Sequence, residues 1–319
     1  MRQQVVLYKW IPDALMQRLQ SAFDVTFFDG INADNLVAFH EAVKRADGII
    51  GANVTMPNSL FEQSPNLKIA STMSVGVDQF DVDYFRQRGL MLAHTPGVLD
   101  EGVADLIFAL IMSSARRVVE LAEFVRAGKW TASSGKGQFG IDVHGKTLGM
   151  LGMGRIGTAV ARRGHHGFGM PVLYHNRHRD ADAERSLNAR HVDKDTLLAQ
   201  ADFLCVTLPL TAETEKAMGA REFSLMKPSA IFINASRGKV VDEAALINAL
   251  TQKIIYGAGL DVFEQEPVST DSPLLKMPNV VALPHVGTAT FETRFAMAEL
   301  AVDNLIAGLR GERPKYLAT

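Results

Sequence analysis

From residue 4 onward, short β-branched apolar runs alternate with segments whose apolar positions recur at helical spacing. Strand-like runs lie at 4–8, 25–28, 48–50, 68–72 and 90–93, and helical patterns fill 13–22 and 35–45. Strands separated by amphipathic helices imply a parallel sheet covered on both faces, because parallel neighbours need a crossover that a helix usually supplies. The first hundred or so residues are therefore predicted to form one doubly wound unit.

The longest periodic segment, 102–127, follows the turn-forming Thr95-Pro-Gly97 and has Asp100 and Glu101 near its start. It reads as one long helix joining two lobes. A loop rich in Gly, Ser and Lys, 131–140, leads to a second strand series at 147–151, 171–175, 203–208, 230–234, 257–262 and 280–283. A final helical pattern at 292–309 is placed to pack back on the first lobe. The second lobe thus interrupts the first: 97–289 form one domain, and 1–96 with 290–319 form the other.

Composition narrows the function. The 319 residues suit two domains of ordinary size. The 33 Lys and Arg against 35 Asp and Glu give a net charge of −2, and the basic residues are scattered. Nucleic acid is not an expected partner. The longest fully apolar stretch, 106–112, is far short of the roughly 18–20 residues of a membrane span, and charge and proline at Lys9 and Pro12 come too early for an export signal. A single cysteine, Cys205, inside an apolar run, fits a reducing cytoplasm. His165 and His166 lack Cys or carboxylates at metal spacing, so no metal site is expected. The sequons at Asn53 and Asn234 read as coincidental.

Chemistry first shows at Gly152-Met-Gly154-Arg-Ile-Gly157, which follows a predicted strand and opens a predicted helix. The first glycine permits a tight turn, the second lets backbone approach a pyrophosphate, and the third allows close helix–strand packing. About twenty residues on, a dinucleotide-binding sheet usually carries an acid that reads the ribose. Here the chain runs Leu173-Tyr-His-Asn-Arg-His-Arg179, without a carboxylate. Asn176, Arg177 and Arg179 can hold a 2′-phosphate that an acid would repel, so NADPH is favoured over NADH.

Three later strand ends each deliver one polar side chain: Arg237 before a glycine, Glu266 before a proline, and His285 after one. All three fall at the carboxyl edge, where open α/β sheets bind ligands. Together they supply what reduction of a 2-keto acid requires. A protonated histidine acts as general acid as alkoxide charge builds, a carboxylate favours and orients the imidazolium, and an arginine forks onto the substrate carboxylate. Reduction should weaken as rising pH deprotonates the imidazole.

These segments resemble the D-isomer-specific 2-hydroxyacid dehydrogenase family over almost the whole chain. Thr72-Met-Ser-Val-Gly-Val-Asp78, His94-Thr-Pro-Gly97, Ala115-Arg-Arg-Val-Val-Glu120 and Gly128-Lys-Trp-Thr-Ala132 are similar to its branch that reduces glyoxylate, hydroxypyruvate or 2-ketogluconate, among which the sequence does not choose. The resemblance implies an α/β fold of two doubly wound parallel-sheet domains, a flavodoxin-like substrate domain and an inserted Rossmann cofactor domain. It makes His285 the proton donor, Glu266 its support and Arg237 the substrate-binding arginine, and it assigns the substrate carboxylate to backbone at Val75 and Gly76. It also implies cofactor contacts at Arg155, Ile156, Leu208, Pro209, Ala235, Ser236, Asp261 and Gly287, a cytoplasmic homodimer, and a loop at Trp130 that reaches the partner subunit. The missing ribose acid is the one departure, and it bears on cofactor choice alone. Glu266 argues against the related formate dehydrogenases, which carry Gln there. Two alternatives use the same scaffold: a dinucleotide-sensing interaction protein of corepressor type, and phosphite oxidation, which would need cations where Asn53 and Met73 have only uncharged neighbours.

Overall fold

The structure, a computed structural model, describes residues 2–319. The chain divides into two compact units, one running to Leu99 and resuming at Thr288–Thr319, the other Asp100–Gly287.

The first unit contains β1 (Gln4–Leu7), β2 (Asp24–Phe27), β3 (Gly48–Gly51), β4 (Ile69–Thr72) and β5 (Met91–Ala93), all parallel in the order β2-β1-β3-β4-β5. Its helices are α1 (Asp13–Ala22), α2 (Leu36–Val43), α3 (Asn58–Glu62) and α4 (Val82–Gln87). Side chains alternate across the sheet, so β1 serves two cores at once. Val5 and Leu7 face α1 and the C-terminal helix, whereas Val6 and Tyr8 face Phe39, Phe61 and Phe85. Each such side chain, nearly or fully excluded from water, contributes about 1.5–3 kcal/mol of burial.

The second unit opens with α5 (Asp100–Ala115) and α6 (Val118–Arg126). Its strands are β6 (Leu148–Leu151), β7 (Val172–His175), β8 (Arg190–His191), β9 (Phe203–Val206), β10 (Ile231–Asn234), β11 (Gly257–Leu260) and β12 (Val280–Ala282), parallel in the order β12-β11-β10-β9-β6-β7-β8. The order turns back on itself between β6 and β9, which makes the crevice at their carboxyl ends the expected ligand position. The accompanying helices are α7 (Arg155–Phe168), α8 (Ala181–Leu187), α9 (Lys194–Gln200), α10 (Ala220–Leu225) and α11 (Glu243–Thr251). One sheet face is covered by α9, α10 and α11, and α5 lies across β10, β11 and β12 beside α7. The chain then returns to the first unit with α12 (Phe291–Leu309), which lies on β3 and β4.

The single long helix expected over 102–127 is two helices. Arg117 sits between them in the left-handed region, φ 54°, and ends the first. Its guanidinium holds Glu120 bidentately and donates to the carbonyls of Gly137 and Phe139, so side-chain bonds maintain a backbone turn that neither Gly nor Pro signals. Within the second unit, α5 packs from Asp100 onward.

Candidate active site

The glycine loop leaves β6 in a turn that only glycine adopts easily, with Gly152 at φ 101°. Gly154 then caps α7, and a Cβ there would meet nothing within 4 Å. A Cβ on Gly157 would lie 2.4 Å from the Gly152 carbonyl. One glycine thus permits the turn, one leaves open space before the helix N-terminus, and one lets the helix press on the strand. Thr207, after β9, donates to the Gly152 carbonyl at 2.5 Å and ties the loop to the neighbouring strand end. The chemistry of this cradle fits a dinucleotide pyrophosphate: a helix N-terminus with open space before it at Gly154, and Arg155 in the first turn, 3.5 Å through Nε from Asp100. Ile156 is partly exposed in the first turn of α7, and Leu208 and Pro209 leave β9 alongside the loop.

Arg237, Glu266 and His285 emerge from the carboxyl ends of β10, β11 and β12, three strands adjacent in the sheet. His285 stands at φ 53°, a left-handed conformation that a non-glycine residue adopts only when its surroundings enforce it. Asp261 does the enforcing. Its carboxylate, 1% exposed at the end of β11, accepts from Val286 N–H and Gly287 N–H at 2.8 Å each. Burial raises the Asp261 carboxyl above its ordinary range, although those two amides and the His285 charge pull the other way. The imidazole is thereby turned so that Nδ1 lies 2.7 Å from Glu266 Oε2.

Glu266 has its other oxygen fixed by Phe263 N–H at 3.1 Å. Burial raises its carboxyl, but the hydrogen bonds from His285 and Phe263 and the charges of His285 and Arg237 outweigh that, so it ionises below the usual carboxylate range. The pair is not sealed off, with side chains 49% and 36% exposed, which leaves the imidazole accessible to a reactant. Arg237 sits on a turn organised by Asn234, whose amide donates to the Arg237 carbonyl and accepts from Ser236 N–H and Oγ. Ala235 forms the crest of that turn. A Cβ on Gly238 would fall 1.8 Å from the Phe263 carbonyl oxygen, so the backbone beside Arg237 rests directly on the segment that carries Glu266.

Residues 108–287 match the family model described as D-isomer specific 2-hydroxyacid dehydrogenase, NAD binding domain. The chain belongs to that family. Glyoxylate/hydroxypyruvate reductase B of Escherichia fergusonii is 55% identical over 315 residues, 99% of this chain and 97% of the relative. Among solved structures, a protein of Thermus thermophilus is 38% identical with a TM-score of 0.91, covering 99% of this chain and all of its own. The NADPH-dependent glyoxylate/hydroxypyruvate reductase of Sinorhizobium meliloti, solved with NADP and malonate, is 33% identical with a TM-score of 0.86, covering 100% of this chain and 97% of its own.

In this dehydrogenase the three basic-turn residues after β7 have different surroundings. Asn176 is a clamp on the glycine loop: its side chain accepts from Met153 N–H at 2.6 Å and donates to the Met153 carbonyl at 3.1 Å. Arg179 is held by Glu184, which also accepts from the Tyr174 hydroxyl. The Arg179 and Tyr174 hydrogen bonds, with the Arg179 charge, bring the Glu184 carboxyl down to about 2. Arg177 is exposed and has no hydrogen bond or ion pair among the described residues. Val75 and Gly76 lie in the other unit, on the loop after β4.

Sequence reading missed Asn234, which it took only as an incidental sequon, and missed what Asp261 does for the His285 loop. Both are short polar side chains just where a strand stops, the usual place for a side chain to bond backbone a few residues on. Cys205 is fully buried in β9, and burial pushes its thiol well above the ordinary range, so it has no part in the chemistry. No group of three or more His, Cys, Asp or Glu among the described residues could hold a metal ion.

Proposed function

We propose that this dehydrogenase reduces small 2-keto acids, glyoxylate and hydroxypyruvate first among them, to D-2-hydroxy acids with NADPH. The observation that carries the reading is the His285–Glu266 pair on strand ends adjacent to Arg237, in the sheet that holds the glycine loop. When bound, the nicotinamide supplies the hydride. Arg237 binds the keto acid through its planar fork and stabilises charge on the carbonyl oxygen. His285 delivers a proton to that oxygen, and Glu266 orients the imidazole through its Nδ1. Backbone N–H groups at Val75 and Gly76 bind the substrate carboxylate. The names of the relatives favour turnover over dinucleotide sensing or phosphite oxidation. A substrate panel run with both nicotinamides tests the reading: glyoxylate and hydroxypyruvate should turn over with higher kcat/KM on NADPH. Failure to reduce any 2-keto acid would overturn it.

The 2′-phosphate is best met by Arg177, the basic side chain of the turn that is in no hydrogen bond or ion pair among the described residues, although its charge reaches the Glu213 carboxyl, with Asn176 and Arg179 shaping the turn around it. Arg177→Ala should raise KM for NADPH about tenfold, the worth of a charge-assisted hydrogen bond, and leave NADH kinetics almost unchanged. An equal loss with both cofactors would remove Arg177 from phosphate recognition.

The low ionisation of Glu266 sets a direction for pH. Because its folded carboxyl ionises below the unfolded one, its support of His285 is complete above the ordinary carboxylate range and fades as acid takes the pH through the lowered value. At neutral pH Glu266 is an anion, and it accepts the hydrogen bond from His285 Nδ1. Glu266→Gln should therefore remove the acid-side fall of keto-acid reduction and reduce its maximum. Profiles of kcat/KM against pH for both proteins would show it, and superimposable profiles would dismiss the role.

A cytoplasmic homodimer completes the proposal. It is supported by α6, on which no residue is buried while Val118, Val119 and Val125 are exposed, and by exposed Trp130 and Phe139 just beyond. Among the described residues no helix is long and apolar enough to cross a membrane.

A further inference from the structure

The loop after β4 treats its carbonyl and amide groups unequally. Three successive carbonyls are each occupied from within the first unit. Ser74 O accepts from Thr95 N–H at 2.9 Å, Val75 O from His94 Nδ1 at 2.9 Å, and Gly76 O from Ser74 Oγ at 2.5 Å. The N–H groups of Val75, Gly76 and Val77 have no acceptor among the described residues. In a trans peptide the C=O and the following N–H point in opposite directions. Each carbonyl held by a donor therefore turns the amide that follows it away from that donor, and successive backbone N–H groups left without acceptors can form an anion-binding concavity.

The side chains that hold the carbonyls are themselves fixed. Ser74 Oγ lies 2.9 Å from Thr72 Oγ1, a fully buried hydroxyl, and Gln79 Nε2 donates to both oxygens, at 3.0 Å to Thr72 and 3.4 Å to Ser74. His94 is anchored from the C-terminal segment: its N–H donates to the Tyr316 carbonyl at 3.3 Å, and its own carbonyl accepts from Asn304 Nδ2 at 3.1 Å. Asn304, on α12, is 1% exposed. A carbonyl oxygen can only accept, so Nδ1 of His94 carries the hydrogen.

We propose that His94 and Ser74 are positioning residues for the keto-acid carboxylate. They hold the Val75 and Gly76 carbonyls so that the amides of Val75, Gly76 and Val77 are aimed at it before substrate arrives. The inference rests on the reading that this loop meets the carboxylate, and adds the side chains that make it able to. His94 acts through the loop and touches no reacting atom.

His94→Phe keeps a ring and removes the donor, whereas His94→Asn returns an N–H near the Nδ1 position. Oxalate serves as the unreactive carboxylate probe. His94→Phe should raise both KM for glyoxylate and Ki for oxalate about tenfold, as expected for loss of an oriented set of hydrogen bonds to an anion. Its kcat should change less than threefold or so, NADPH affinity should hold, and His94→Asn should recover most of the loss. Ser74→Ala, which frees the Gly76 carbonyl instead, should move Ki for oxalate in the same direction and serves if His94→Phe does not fold. Backbone amide NMR of the wild-type protein separates two kinds of failure. If the Val75, Gly76 and Val77 resonances do not respond to oxalate, the loop does not hold the carboxylate and the inference falls with that reading. If they respond, but His94→Phe or Ser74→Ala binds oxalate as tightly as wild type, the carboxylate site stands and the positioning role is wrong.

Discussion

His285→Gln should lower kcat for glyoxylate reduction by about 10²-fold or more, the usual worth of a positioned general acid, while NADPH binds as before. Glutamine can still reach Glu266, but it has no proton to give to a developing alkoxide. The substitution is mild on the fold because the loop does not depend on the imidazole for its shape. Asp261 grips the two amides that follow, so the left-handed turn survives the change of side chain. NADPH contacts assigned to the glycine loop lie on other strand ends and should be untouched. Steady-state kinetics and a fluorescence titration with NADPH test both halves together. A variant that retains wild-type kcat, or loses cofactor affinity in proportion to activity, would contradict the assignment.

Arg237→Ala should reduce kcat/KM for keto acids by about 10²–10³-fold, through substrate affinity and carbonyl polarisation together. The turn beneath Arg237 is set by Asn234 and by the glycine contact at Gly238, and the guanidinium adds one bond to it, to the Ser236 carbonyl at 2.9 Å, so the protein should remain folded. Arg237→Lys should restore little, because one ammonium cannot present a planar fork to a carboxylate. Turnover unaltered in Arg237→Ala would take the residue out of the mechanism.

Much of this was legible in the sequence because burial and chemistry leave local marks. Parallel strands covered on both faces read as apolar runs, as at Ile231-Phe-Ile, and the glycine loop declares itself by falling between strand and helix. Arg237, Glu266 and His285 were visible as polar residues where such runs stop. What stayed hidden depends on contacts between distant segments. The turn at Arg117 is maintained by the Gly137 and Phe139 carbonyls some twenty residues on, so its own neighbourhood reads as uninterrupted helix. The two-residue strand β8 is too short to show a period and exists through pairing with β7. The differing surroundings of Arg177 and Arg179 turn on one carboxylate, Glu184, placed a helical turn into α8. A basic stretch in sequence cannot say which of its charges is already answered.

The insertion of one unit into the other also fixes an order of events during synthesis. The first unit buries Ile50 and Ile69 against Ala298, Val302 and Leu305 of α12, which is made only after the whole of Asp100–Gly287. At a synthesis rate of ~5–20 residues per second, those roughly 190 intervening residues take about 10–40 s. For that time the N-terminal sheet is on the ribosome with one apolar face covered by α1 alone, while the inserted unit has its entire sequence available to fold. Of the two units, the one begun earlier is thus completed later, and its partly open face is apolar surface that a chaperone would shield.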